Sequence, residues 1–169
     1  MVGGNGNDLL GALGTGSETL QGGNGNDSLF GNGSGTYVIT GGNGDDFMQA
    51  TGSGNETLVG GNGNSTMFAM GGGSYSIVGG SGNNTIDFFN NTGNNDTLGG
   101  GPGNDTINFI GYDSGAGNVT IADQGGGLWK VIFSETNPAQ TAFVQASTSS
   151  TTVLNFTGDG GVTTIPQFP

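Results

Sequence analysis

The chain contains no cysteine and no histidine, and Lys130 is the single basic residue among 169. Without cysteine there are no disulfides. Without both residue types the common zinc sites and the His-based catalytic triads are excluded. One base stands against 13 acids, a formal charge of −12. That balance argues against nucleic acid and against anionic membrane surfaces as partners. It suits a chain that binds cations, or one that repels itself until cations arrive. No apolar run approaches 18 residues, so no membrane insertion is expected. Met1-Val2-Gly3-Gly4 lacks a basic region and an apolar stretch, so no cleaved N-terminal secretory signal is read there. No Gly-Lys-Ser/Thr occurs, which removes phosphate loops. There are only 4 prolines and no Gly-X-Y triplet, so the 40 glycines are not collagen.

What is present is a repeat. Gly-Gly-Asn-Gly starts at Gly3, Gly22, Gly41 and Gly60, and a variant follows at Gly79, each step being 19 residues. A weaker copy, Gly100-Gly101-Pro102-Gly103-Asn104-Asp105, comes after 21. A fixed period means a solenoid, whose chemistry sits on ladders of equivalent positions. A flexible Gly/Asn linker is the competing reading, but a linker does not keep an apolar residue in phase. Each unit divides into two halves, each with one apolar position. The first halves give Leu10, Leu29, Met48, Met67, Ile86 and Ile107. The second halves give Leu20, Ile39, Leu58, Ile77, Leu98 and then Ile121. One unit reads as turn, strand, turn, strand. The fold expected is therefore all-β: a parallel β-solenoid of about six coils over residues 1–122. A small β-rich C-terminal cap follows over 123–169. The strand-like runs of the cap are 128–133, 141–144, 152–156 and 162–165.

The glycines suit turns that need positive φ. Asn5, Asn24, Asn43 and Asn62 share one register and are expected to hydrogen-bond along the axis. Residues 3–40 and 41–78 align without gaps at 21 identities in 38, so a pair of coils was the duplicated unit. With one apolar residue per strand the core should be thin and in need of ions or neighbours. Phe30, Phe47, Phe68, Phe88, Phe89 and Phe109 flank the inward row and are expected to make sticky outer sides.

Position six of the first half reads Asp8, Asp27, Asp46, Ser65, Asn84, Asp105. Stacked aspartates beside glycine turns offer carboxylates and carbonyls, the oxygen donors that calcium takes six to eight at a time. A competing reading leaves these aspartates as turn caps. The opposite edge reads Glu18, Tyr37, Glu56, Tyr75, Asp96 and then Val119, where a Tyr–Glu hydrogen-bonded ladder is expected.

The copies Gly3-Gly4-Asn5-Gly6-Asn7-Asp8, Gly22-Gly23-Asn24-Gly25-Asn26-Asp27 and Gly41-Gly42-Asn43-Gly44-Asp45-Asp46 resemble the repeats-in-toxin (RTX, hemolysin-type) nonapeptide. The resemblance covers residues 3 to about 122. It implies a right-handed β-roll with Ca2+ between successive turns on one edge. The ligands it implies are Asp8, Asp27, Asp46 and Asp105, with main-chain carbonyls around Gly4, Gly6, Gly23, Gly25, Gly42 and Gly44. Two to four ions are expected, because Ser65 and Asn84 interrupt the row. The resemblance also implies a bacterial extracellular protein, exported in one step (type I secretion) by an uncleaved C-terminal signal. That signal would lie in the stretch ending Ile165-Pro166-Gln167-Phe168-Pro169.

The first coil starts at Gly3, which leaves Leu9, Leu10 and Leu20 on an open end. Head-to-tail contact with a second copy, giving a filament, is one expectation. Upstream sequence in a larger toxin, enzyme or adhesin is the other. Acid pairs such as Asp45-Asp46 imply no pocket, so no catalytic residue and no enzyme activity are expected.

Overall fold

Residues alternate between an outward polar and an inward apolar side through nearly every strand, a period of two. In Thr36–Asn43, Tyr37 and Ile39 are buried while Thr36 and Val38 are exposed. In Phe47–Ala50, Met48 and Ala50 are buried between half-buried Phe47 and Gln49. The computed structural model describes residues 1–89 and 96–111 in full. It also describes the backbone of strands 119–123, 128–133, 140–145, 151–158 and 161–165.

The strands in chain order are β1 (Val2–Asn5), β2 (Leu9–Gly14), β3 (Ser17–Asn24), β4 (Ser28–Gly33), β5 (Thr36–Asn43), β6 (Phe47–Ala50), β7 (Asn55–Asn62), β8 (Thr66–Ala69), β9 (Ser74–Ser81), β10 (Thr85–Phe89), β11 (Asp96–Gly99) and β12 (Asn104–Ile110). The C-terminal strands are β13 (Val119–Asp123), β14 (Leu128–Phe133), β15 (Gln140–Gln145), β16 (Thr151–Gly158) and β17 (Gly161–Ile165). The odd strands β1 to β11 form one parallel stack and the even strands β2 to β12 another. The result is an all-β solenoid of about five turns, a β-roll, with no helix among the described residues.

Both expected apolar columns form. Leu10, Leu29, Met48, Met67, Ile86 and Ile107 stand directly over one another. So do Leu20, Ile39, Leu58, Ile77 and Leu98. The next residue over Leu98 is Val144, not Ile121, and the next over Asp96 is Ala142, not Val119. Ile121 and Val119 belong to β13, which pairs antiparallel with β14. The first strand after the coils therefore leaves the stack, and β15 and β16 return to continue it in parallel. Hairpin partners β14 and β17 then lie antiparallel to them.

The core is thicker than one residue per strand. A second inward column reads Ala12, Gly31, Ala50, Ala69, Phe88, Phe109. Its small members make room for a tyrosine ring: a Cβ at Gly31 would stand 3.1 Å from Tyr37 Cδ2. Its large members fill the same layer themselves, with Tyr75 edge-on to Phe88 at 5.9 Å and Phe88 edge-on to Phe109 at 5.9 Å. Phe88 and Phe109 thus lie inside, contrary to the expectation of outer sides. They stand two residues after Ile86 and Ile107, and two residues restore the same face. Phe30, Phe47, Phe68 and Phe89 do face outward, as a diagonal stripe with ring centroids 5.3 to 6.1 Å apart.

The register also locates the break in period. Phe88 pairs with Ala69, a step of 19, but Thr97 pairs with Ser76, a step of 21. The two extra residues fall in the turn between β10 and β11. Residues 90–95 of that turn, and 166–169 of the expected export signal, lie outside the described residues. Among the described residues no helix is long and apolar enough to cross a membrane.

Candidate metal sites

Glycine dictates the shape of the motif edge. Gly23 and Gly25 have φ of 119° and 118°, a region that side chains disfavour. A Cβ on Gly23 would collide with the carbonyl oxygen of Gly4 one coil below, and one on Gly25 with that of Gly6. Gly42 and Gly44 meet the carbonyls of Gly23 and Gly25 in the same way. The carbonyls of the second and fourth motif positions therefore point along the axis, between coils.

The sixth-position side chains lie beneath these turns. Asp27, Asp46, Ser65, Asn84 and Asp105 are each no more than 2% exposed. One carboxylate oxygen of each aspartate has a fixed task. Oδ1 of Asp27 accepts the Asp8 N–H at 2.8 Å, Oδ1 of Asp46 accepts the Asp27 N–H at 2.9 Å, and Oδ1 of Asp105 accepts the Asn84 N–H at 2.8 Å. The other oxygen has none. Oδ2 of Asp8, Asp27, Asp46 and Asp105 is buried without any hydrogen-bond donor. Each Oδ2 points at the first glycine of its own turn, and for Asp8, Asp27 and Asp46 the carbonyl of the next coil also arrives there. A Cβ on Gly22 would meet Asp27 Oδ2 and, at 2.7 Å, the Gly41 oxygen. The same pair recurs at Gly41, with Asp46 Oδ2 and the Gly60 oxygen.

A buried anion ringed by acceptors is costly. Carboxylates one coil apart, about 4.8 Å, repel by about 3 kcal/mol at an effective dielectric of 20. Burial pushes the Asp46 carboxyl above its ordinary range; the Asp27 N–H offsets part of this, while the charges of Asp27 and Asp45 add to it. Burial also raises Asp105, against the pull of the Asn84 N–H and amide. A cation removes both costs, and the donor set of carboxylate plus carbonyl oxygen is that of a hard ion such as calcium. No three acidic side chains converge among the described residues; the charge comes one carboxylate per coil and the main chain supplies the rest.

Where the row departs from aspartate, the contacts change. Asn84 Oδ1 accepts the Ser65 N–H at 3.0 Å, which fixes the amide orientation. Its Nδ2 then donates to the oxygens of Gly80, Gly82 and Gly100, each at 3.3 Å, and to Asp105 Oδ1 at 3.0 Å. Ser65 Oγ is buried without a partner.

The opposite edge differs again. Glu18, Tyr37, Glu56 and Tyr75 stack in register, but the expected Tyr–Glu ladder is not what the hydroxyls make. Tyr37 Oη donates to the Gly14 oxygen at 2.5 Å and lies 3.4 Å from that of Asn32. Tyr75 Oη reaches the oxygens of Met70 at 2.9 Å and Gly52 at 3.3 Å. The ring spans the core, so its hydroxyl arrives at the turn carbonyls instead of at the glutamate. Glu56, 1% exposed, has no hydrogen bond of good geometry at either oxygen. Burial pushes it up to about 7, against a partial pull from the Gly54 N–H and with help from the Asp96 charge.

Buried carboxylates at the turns of a glycine-walled β-roll define a cation-binding solenoid. The profile of the RTX calcium-binding nonapeptide repeat (4 copies) matches residues 14–34, 38–51, 50–73, 76–87 and 91–108. That is more than half of the chain, which belongs to this family, and calcium is the ion its repeats bind. Asp27, Asp46 and Asp105 lie within the matched segments; Asp8, Gly4 and Gly6 lie before the first. No curated protein matches the chain.

Proposed function

We propose that this is a secreted, non-enzymatic calcium-binding β-roll protein that assembles with copies of itself into an extracellular filament or matrix. The observation that carries the calcium sites is the row of buried Oδ2 atoms without donors at Asp8, Asp27 and Asp46. The ligands assigned are those carboxylates and Asp105, with the carbonyl oxygens of Gly4, Gly6, Gly23, Gly25, Gly42 and Gly44. Asp27 stands between the other two and belongs to both of their sites. Calorimetric titration with Ca2+, before and after Asp27→Ala, tests the assignment. Loss of more than one ion per chain is expected, and equal binding by the variant would leave the row as turn caps.

Assembly is supported by the outer face of the first coil. Leu9 and Leu13 are 77% and 75% exposed, with Val2 at 69%, and β1 and β2 each form the outer edge of a sheet. Unpaired edges with apolar side chains recruit further strands. The other end presents β13 and β17, so contact between the two ends would be heterologous and open. Electron microscopy of the chain in calcium and in chelator tests this; filaments are expected in calcium only. Monodisperse monomers at high concentration would instead favour the second reading, in which the same edge receives further coils of a larger RTX toxin, enzyme or adhesin. Export by type I secretion, implied by the family, belongs to either reading.

A further inference from the structure

Asn84 sits against the equivalent glycine, the equivalent next-coil carbonyl and the equivalent N–H of the coil below as Asp27 does, with one change of sign. A Cβ on Gly22 would meet Asp27 Oδ2 and the Gly41 oxygen; a Cβ on Gly79 would meet Asn84 Nδ2 at 2.7 Å and the Gly100 oxygen. In both coils the other side-chain oxygen faces the coil below, Asp27 Oδ1 taking the Asp8 N–H and Asn84 Oδ1 the Ser65 N–H. An amide is the isostere of a carboxylate, so the two side chains occupy the same volume. The difference lies in the second terminal atom. Asp27 Oδ2 is an acceptor among acceptors and has no partner. Asn84 Nδ2 carries two protons into the same place and shares them among Gly80, Gly82, Gly100 and Asp105 oxygens.

We infer that Asn84 is a built-in substitute for the calcium ion: its amide N–H groups do for this rung what a cation does for the aspartate rungs. The rung from β9 to β12 therefore closes without calcium and separates the sites at Asp8, Asp27 and Asp46 from the one at Asp105. This rests on the calcium reading of the aspartate row. The core of the same coils supports it independently: Tyr75, Phe88 and Phe109 form a column of edge-on rings there. The coils from β9 to β12 are thus the part of the solenoid that persists when calcium is withdrawn.

The test uses the full chain with Asn84→Asp and, as a control for packing, Asn84→Leu. Asn84→Asp should bind one more calcium ion per chain than the wild type. Its melting temperature should fall in chelator and return to or above that of the wild type in calcium. Asn84→Leu should be lowered in both conditions. Hydrogen exchange on the wild type in chelator should retain protection in β9, β10 and β12 while it is lost in β2 to β6. An Asn84→Asp chain with unchanged ion count, or one lowered equally in calcium and chelator, overturns the inference while calcium binding by the wild type stands. A wild type that gives no calcium isotherm overturns the calcium reading, and the inference with it.

Discussion

The two edges of the solenoid solve the same problem with opposite means. Both are glycine turns whose carbonyls point between coils, and both carry a buried side chain at the sixth position. On the motif edge that side chain is mostly an acid, Asp8, Asp27 and Asp46 in succession. On the other edge acids alternate with tyrosines, whose hydroxyls reach the carbonyls of Gly14 and Gly52 from within the core. An edge of acceptors alone needs a cation from outside. A turn that a tyrosine hydroxyl reaches does not. In this solenoid, calcium dependence is therefore expected to be set coil by coil, by whether a donor or an acceptor stands under each turn.

The sharpest way to break this contrast is to remove calcium. Chelation should loosen the coils under Asp8, Asp27 and Asp46, while Tyr75 and Asn84 hold theirs. Circular dichroism in a calcium titration should show partial, not complete, loss of β signal in chelator. Complete unfolding, or none, would make the two edges equivalent.

The next effect comes from pH, measured in chelator so that bound ions do not mask it. Burial raises Glu56 from 4.5 to about 7. Between those values the folded chain holds a proton on Glu56 that the unfolded chain has lost. The stability this group contributes is therefore fully present below about pH 4.5 and is lost as pH rises through 7. Asp96, raised to about 6 by burial against the Tyr75 N–H, acts in the same direction. Glu56→Gln should flatten the profile between pH 5 and 7. An unchanged slope in that variant assigns the pH dependence elsewhere.

Much of this was legible in the sequence. The 19-residue step fixed the register, because each apolar residue of the row could only face its own copy. The motif carried the aspartate row and the resemblance to the family. The misreadings share one cause, which is that a period names a column but not what faces it. Phe88 and Phe109 flank the row in sequence and so read as outer residues, yet they follow the inward isoleucines by two and are buried. Tyr37 was paired with the glutamates by sequence offset, whereas its ring crosses to Gly31 and its hydroxyl to Gly14. Ile121 kept the spacing of the row but sits in a hairpin that departs from it. In the sequence Asn84 is only a gap in the acids; its value as a donor emerges from the oxygens around it.

Tyr75→Phe isolates the donor on the non-motif edge. The ring and its contact with Phe88 remain, while the Met70 and Gly52 oxygens lose the hydroxyl. A buried acceptor left without a donor costs about 1–3 kcal/mol. Thermal melts should show that loss equally in calcium and in chelator. A loss confined to chelator would mean that calcium can stand in for the hydroxyl, and the two edges would then differ less than their side chains suggest.

The smallest effect belongs to the exposed asparagine ladder that borders the motif edge. Asn24 donates to Asn5, Asn43 to Asn24 and Asn62 to Asn43, each at 2.7 Å between Nδ2 and Oδ1. Ser81 continues the chain with a 2.8 Å bond to Asn62 Oδ1. All of these are open to water, so each bond replaces one that water offers, and the net gain is about 0.5–1 kcal/mol. Asn43→Ala cuts the ladder in its middle and removes two bonds, one given and one received. Its side chain is not among the proposed calcium ligands, and Gly42 and Gly44 on either side keep their positive φ. The variant should therefore melt slightly below the wild type and bind the same number of calcium ions with unchanged affinity. A drop in ion count would show that the ladder sets the spacing of the coils tightly enough to shape the cation sites, and would bring a surface feature into the calcium edge.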